Sequence, residues 1–234
     1  MTRFFVEKEV LASPEIILDS ENAAHAKVLR LRAGEEVLLC DGQGREALCR
    51  VVSSENMTLE VLEQRKSETE AAVRVSIYMA FPKADKLEHV IQKATELGAT
   101  EIVAFPSARC VSKPDDKSLN KKLERWQKIA ASAAEQSGRG VIPKVLALKS
   151  YDEAIDRAAQ ADMPILFYEN EQATTLRMAL DSKPFATASF LTGPEGGLES
   201  REVEKAKDRA QILPAQAKVQ AYVNGLINIE EICA

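Results

Sequence analysis

The chain has 234 residues, 45% hydrophobic and 29% charged, with a formal net charge of -5. This is an ordinary globular composition, long enough for two small domains or one large one, and it does not announce a nucleic-acid binder, so any such role must rest on local basic clusters. No apolar run reaches membrane-spanning length, and the opening MTRFFVEKEV is charged where a secretory signal needs an apolar core, so a cytoplasmic protein without a membrane partner is expected.

The first third reads as β structure. EVLLC (Glu36 to Cys40), EALCRVV (Glu46 to Val52) and MTLEVL (Met57 to Leu62) are short apolar runs. DGQG (Asp41 to Gly44) between the first two is a hairpin turn, because Asp-Gly tolerates positive φ. Short strands with tight turns predict a small barrel. EQRKSETEAA (Glu63 to Ala72) has no apolar periodicity and reads as an exposed connection.

The pattern changes at Val73. VSIYMAF (Val75 to Phe81) reads as a buried strand. Leu87, Val90, Ile91, Ala94 and Leu97 then recur at helical spacing until Gly98. TEIVAF (Thr100 to Phe105) is the next strand, and Leu123, Trp126, Ala130 and Ala133 mark a second amphipathic helix, with Trp126 on its core face. PILFYE (Pro164 to Glu169) and ATASFL (Ala186 to Leu191) are further strands, and REVEKAKDRA is a helical run. Alternation of strand and helix predicts an α/β domain with a mostly parallel sheet. Cys40, Cys49, Cys110 and Cys233 show no C-x-x-C spacing, and His25 and His89 are the only histidines, so free buried thiols and no metal site are expected. His89 lies beside the helix stripe and reads as structural.

GPEGG (Gly193 to Gly197) follows a strand and precedes a helix, where open parallel sheets bind ligands. Two readings of its glycines stand side by side. They let the main chain approach a flat ligand, or they serve a tight strand-to-helix turn. A phosphate loop fits poorly, since neither G-x-G-x-x-G nor the P-loop lysine is present.

GPEGG with its acidic helix start resembles the ribosomal RNA small subunit methyltransferase E family. HAKVLRLR (His25 to Arg32), DGQG, KADKLEHVIQKATELGATEIVAF (Lys83 to Phe105), ARCV (Ala108 to Val111), RWQKIAASAAEQSGR (Arg125 to Arg139) and Pro143 are similar to its motifs in the same order, over roughly Arg3 to Ile212. The resemblance implies a PUA-like β-barrel over residues 1–70 that binds RNA, and over 73–234 an α/β SPOUT methyltransferase domain with a parallel sheet and a C-terminal trefoil knot. It implies S-adenosyl-L-methionine as cofactor, N3 of a uridine in 16S rRNA of the small ribosomal subunit as target, and a homodimer. Leu191, Thr192, Gly193, Glu195, Gly196, Gly197 and Leu213 then hold the cofactor. His25, Arg30, Arg32, Lys93, Arg109 and Arg139 contact RNA, the last three from the catalytic domain, whereas Lys27 reads as a solvated charge. Methyl transfer to N3 needs help in removing a proton. Glu195 is the one candidate base, against the reading that it shapes the turn.

Three positions depart from the pattern. Ala108 stands where the family usually has Glu, and Glu199 where Ser usually caps the next helix, leaving Ser200 as an alternative cap. Beyond a strand expected at Ile212 and Leu213, the tail to Ala234 lacks the family's Leu-Gly-x-Arg-Ile-Leu-Arg-x-Glu-Thr-Ala segment. The competing expectation is therefore a non-catalytic RNA-binding relic. An active enzyme requires a helix over Tyr222 to Ile232 beside the glycine loop.

Overall fold

The computed structural model describes residues 1–111, 114–171, 175–182 and 184–214. The chain forms two compact units, one from Met1–Glu70 with Ala134–Ile142, the other from Ala71–Ala133 with the chain from Pro143 onward.

The first unit contains β1 (Thr2–Phe5), a 3-10 turn (Val10–Ala12), β2 (Glu15–Ile17), α1 (Ser20–Val28), β3 (Glu36–Cys40), β4 (Arg45–Ser53) and β5 (Thr58–Lys66). The strands pair in the order β1-β3-β4-β5-β2, antiparallel except β1 with β3. All five strands and α1 fill one core around Phe4, Ile16, Ala26, Leu39, Cys49 and Leu59. Asp19 starts α1 by accepting from the N–H groups of Glu21 and Asn22 at 2.9 and 2.8 Å. The DGQG hairpin forms as read: Gly42 and Gly44 hold φ 69° and 97°, and Asp41 Oδ1 accepts from the N–H groups of Gln43 and Arg45.

The stretch beginning at Glu63 is not wholly a connection, because β5 continues to Lys66. Residues 63–66 pair with Arg45 to Leu48, and Arg65 Nε meets Glu46 Oε1 at 2.8 Å. The backbone ladder extends the strand where the side chains are exposed and no apolar alternation marks it. Cys40 and Cys49 are buried free thiols, each pushed up to about 11 by burial and therefore unreactive near neutral pH. Cys110 is free and half-buried; Cys233 lies outside the described residues.

Two charge clusters, one buried and one half-buried, tie this unit together. Glu46, 3% exposed, accepts from Arg3 at 3.0 Å and from Arg65. Glu70 accepts from Arg139 Nη2 at 2.6 Å and from the N–H groups of Gly140 and Val141 at 3.0 Å each. Arg3 also donates to the Arg139 carbonyl at 3.3 Å. A segment from late in the sequence is thus bound into the first unit by ionic and backbone hydrogen bonds.

The second unit contains β6 (Arg74–Ala80), α2 (Lys86–Glu96), β7 (Glu101–Phe105), α3 (Asp116–Gln136, its last turn counted with the first unit), β8 (Lys144–Ala147), α4 (Tyr151–Ala158), β9 (Met163–Tyr168), α5 (Leu176–Leu180), β10 (Thr187–Thr192), α6 (Ser200–Ala206) and β11 (Gln211–Pro214). The sheet order is β11-β9-β10-β6-β7-β8, parallel throughout. Successive residues of β9 and β10 enter different cores, as period-two side chains must. Leu166 and Leu191 pack with Tyr151, Ile155, Leu198 and Val203. Ile165, Phe167 and Phe190 pack with Leu176, Ala179 and Leu213. Gly98 ends α2 at φ 96°, and Trp126 is buried core, both as read. Ile212 and Leu213 lie in a strand, β11. The knot and the helix expected over Tyr222 to Ile232 fall on residues 215–234, outside those described.

Replacing Glu70 with Ala strips the buried Arg139 guanidinium of its carboxylate and two N–H groups of their acceptor. The expected loss is about 3 kcal/mol in urea unfolding, in the range for breaking a buried pair.

Candidate functional site

The strand order reverses where β10 inserts between β9 and β6, and the carboxyl ends of strands at such a point are where open α/β sheets bind ligands. β10 delivers GPEGG there. Thr192 is in register with Phe167 of β9 on one side and Met79 of β6 on the other. Leu213 of β11 is in register with the same Phe167. The expected cofactor residues Leu191, Thr192, Gly193, Glu195, Gly196, Gly197 and Leu213 therefore come to one end of one sheet. Leu191 and Leu213 are fully buried, so any contact there with a ligand is made by their backbone.

Four neighbouring segments hold the loop. Within it, the Gly197 N–H donates to the Pro194 carbonyl at 2.9 Å. From the turn after β6, the Lys83 N–H donates to both Glu195 oxygens at 3.0 and 3.3 Å, and Lys86 Nζ sits 2.9 Å from Glu195 Oε1. From the loop after β7, Arg109 Nη1 donates to the Gly196 carbonyl at 2.8 Å. From the end of β9, the Glu169 carboxylate packs against Gly197. From α6, the buried Glu202 carboxylate accepts from the Ala108 and Glu199 N–H groups, both at 2.9 Å. Tyr151 Oη donates to the Glu202 carbonyl at 2.7 Å.

The glycines answer first to this packing. A Cβ on Gly193 would lie 2.8 Å from the Gly197 carbonyl carbon, and one on Gly197, which holds φ 69°, would strike the Glu169 carboxylate. A Cβ on Gly196 meets only Arg109, at 3.5 Å, an ordinary contact. The turn itself therefore demands two of the three glycines, and close approach of a ligand is not what they require.

Glu195 is held by Lys86 and by backbone N–H groups, which bring its carboxyl down to about 2. A carboxylate that acidic is a poor proton acceptor near neutral pH, so its place is as a tie between two loops rather than as a base. Ala84, in the same turn, holds φ 51°, a left-handed conformation that costs an L-residue about 1–2 kcal/mol.

The expected RNA residues divide. His25, Arg30 and Arg32 are exposed in the first unit, Arg30 at φ 58°. His25 Nδ1 lies 3.3 Å from Glu135, and the Arg32 N–H donates to Glu35. Lys93 on α2 pairs with Glu96 at 2.7 Å. Arg109 is exposed and buttresses the glycine loop. Arg139 corrects the expectation twice. It belongs to the first unit, and it is 3% exposed in its pair with Glu70, which makes it a structural ion rather than a phosphate contact. His89 is exposed on α2. Glu199 occupies the N-cap of α6, and Ser200 is the first helical residue instead of the cap.

Sequence reasoning missed Lys83, Lys86, Glu169 and Glu202. The first two stood inside KADK, whose dense charge was the available signal. Glu169 closed a strand, and nothing marked Glu202 among the acids of its helix.

The described residues form a parallel-sheet α/β domain, with a glycine loop at its switch point, joined to a small β unit. Residues 69–215 match the RNA methyltransferase domain family, and residues 18–62 match the RNA methyltransferase PUA domain. Ribosomal RNA small subunit methyltransferase E of Bacillus subtilis is 34% identical over 220 residues, covering 89% of this chain and 86% of that protein. The protein of that name from Mycobacterium tuberculosis is 31% identical over 216 residues, covering 89% and 81%. A crystal structure of a ribosomal RNA small subunit methyltransferase E from Neisseria gonorrhoeae bound to S-adenosyl methionine has a TM-score of 0.78 at 28% identity, covering 99% of this chain and 98% of that one. The chain belongs to the ribosomal RNA small subunit methyltransferase E family, with an α/β methyltransferase fold behind an N-terminal PUA domain.

Two outcomes test this geometry. Gly197→Ala adds a left-handed strain and a clash with Glu169, and should lower stability by at least about 1 kcal/mol in thermal or urea unfolding. Glu195 lies below its ordinary 4.5, so its tie is complete above that pH and is lost as pH falls towards about 2. The Lys83 amide resonance, followed by NMR, should shift with a midpoint well below 4.5.

Proposed function

We propose that the protein transfers a methyl group from S-adenosyl-L-methionine to N3 of a uridine in 16S rRNA of the small ribosomal subunit. The observation that carries this reading is the glycine loop, tied by Glu195 and Arg109 to the turns after two other strands and packed by Glu169 from a third, in a chain whose residues 69–215 match an RNA methyltransferase domain. The residues present suit the cofactor. The backbone of Thr192 to Gly197 would hold it, with the Leu213 backbone beside Phe167 and the exposed Glu169 carboxylate for its cationic or hydroxyl groups. When bound, S-adenosylmethionine supplies an electrophilic methyl on a sulfonium. The chain's own work is to hold donor and acceptor in line, which alone can supply much of the rate. Glu195, paired with Lys86 and the Lys83 N–H, is not the group proposed to take the uracil proton.

In this reading residues 1–70 bind RNA and 73–234 carry the chemistry. His25, Arg30, Arg32, Lys93 and Arg109 contact phosphates and set orientation, while the base pocket sets specificity. The protein works as a homodimer in the cytoplasm, without a metal. The second reading, a non-catalytic RNA binder, draws on one observation: the family match ends at residue 215, where the tail leaves the family pattern.

Calorimetric titration of the purified protein with S-adenosylmethionine separates the two. One saturable site per chain is expected. The protein should also transfer label to small subunits lacking the modification, at one uridine that then stops reverse transcriptase, because N3 methylation blocks the pairing edge. A folded protein that binds no cofactor and transfers no label would leave the RNA-binding reading standing.

A further inference from the structure

Glu202 is 6% exposed, and among the described residues no lysine or arginine pairs with it. A buried carboxylate without a cation is costly unless hydrogen bonds hold it, so its place needs a reason. Helix capping supplies half of one. Glu202 is the third residue of α6, and its Oε2 accepts from the Glu199 N–H as in an ordinary capping box. A capping box needs neither burial nor a second acceptor. The other oxygen, Oε1, reaches 94 residues back along the chain to the Ala108 N–H.

Ala108 lies in a closed turn. The Cys110 N–H donates to the Ser107 carbonyl at 3.3 Å, the Ser107 N–H donates to Cys110 Sγ at 3.2 Å, and the two side chains meet at 3.3 Å. Ser107 is itself buried. Ala108 and Arg109 are the two central residues of this turn, so a hold on one is a hold on both. The Arg109 guanidinium donates to the Gly196 carbonyl at 2.8 Å, and a Cβ on Gly196 would touch the Arg109 side chain at 3.5 Å. Glu202 therefore grips the glycine loop from two sides. Oε2 fixes Glu199, just past the loop, and Oε1 fixes the turn whose arginine fixes Gly196. The buried Tyr151 in turn donates to the Glu202 carbonyl at 2.7 Å.

We propose that Glu202 is a positioning residue for the methyl donor. Acting through the Ser107–Cys110 turn and Arg109, it sets where the Gly196 backbone stands, and so sets the affinity for S-adenosylmethionine without touching it. The assignment rests on the S-adenosylmethionine reading, and its lever, Glu202 on Gly196, is present in the cofactor-free chain.

Glu202→Ala releases both N–H groups, whereas Glu202→Gln, with one accepting oxygen, keeps one of them. Both variants, shown to be folded by circular dichroism, are titrated calorimetrically with S-adenosylmethionine beside the wild type. Glu202→Gln should weaken binding by about tenfold and Glu202→Ala by more. Arg109→Ala should weaken binding in the wild-type background and by less than about twofold in Glu202→Ala, because both changes cut one line of contacts. In methyl transfer to small subunits the KM for S-adenosylmethionine should rise in step, with kcat lowered by less than about threefold, as when binding common to ground and transition states is lost. A glutamate that only stabilised the fold would show neither this split nor this coupling. Where Glu202→Ala does not fold, Glu202→Gln decides alone. Unchanged affinity in Glu202→Gln, an Arg109→Ala effect of equal size in both backgrounds, or a kcat that falls as far as kcat/KM would each overturn the assignment. A wild type that binds the cofactor while Glu202→Gln binds it equally well loses the positioning role and keeps the enzymatic reading. A wild type that binds no cofactor loses the enzymatic reading. Amide exchange of Gly197, followed by NMR in the cofactor-free protein, then decides the lever: faster exchange in Glu202→Gln and in Arg109→Ala keeps it, and unchanged exchange removes it.

Discussion

The Glu195 carboxylate is the tie on which the site's geometry depends. Three donors converge on it, the Lys83 N–H, the Lys86 ammonium and a backbone N–H of its own loop, and together they keep it ionised far below the ordinary carboxylate range. A glycine-rich loop has high conformational entropy, and a loop that must present backbone atoms to a ligand has to be stiffened from outside. Here the stiffening comes from the ends of other strands. Arg109 fixes one carbonyl, Glu169 fills the space a side chain would take, and Glu202 ties the loop after β7 to the start of α6. No single contact is strong in water. Their convergence on five residues sets the loop.

The parallel sheet makes that convergence possible. Every described strand of the second unit points the same way, so the loops that follow these strands emerge at the same end. Insertion of β10 between β9 and β6 places the glycine loop where the strand order reverses. The apolar alternation of β9 and β10 serves two cores at once, which fixes their register and with it the level at which Thr192, Phe167 and Leu213 stand side by side.

Much of this was legible in the sequence, for physical reasons. Helix α2 announced itself by its apolar stripe and Gly98, and β3, β6 and β10 by short apolar runs between turn residues. The hairpin at Asp41 to Gly44 needed positive φ and had the residues for it. The glycine loop was legible as a place, and its reason was not: the clash of a side chain with Glu169 is a contact between distant residues that no local pattern carries. The same limit hid the end of β5, which a backbone ladder extends through exposed side chains. It also hid the burial of Arg139, since a charge in a basic motif looks the same whether its partner is a phosphate or Glu70. Glu202 was invisible because its role lies in two N–H groups that it accepts from other positions.

The binding of residues 134–142 into the first unit has a bearing on synthesis. A ribosome that has finished Glu70 has not finished that unit, because the segment that satisfies its Glu70 carboxylate is still untranslated. Domains that are contiguous in sequence can complete their folding as they emerge. This one has to wait for the helix α3 to be made, so the N-terminal part of the chain leaves the exit tunnel with the Glu70 carboxylate still without Arg139. Dissection of the protein at the apparent boundary near residue 70 would divide a folding unit rather than separate two.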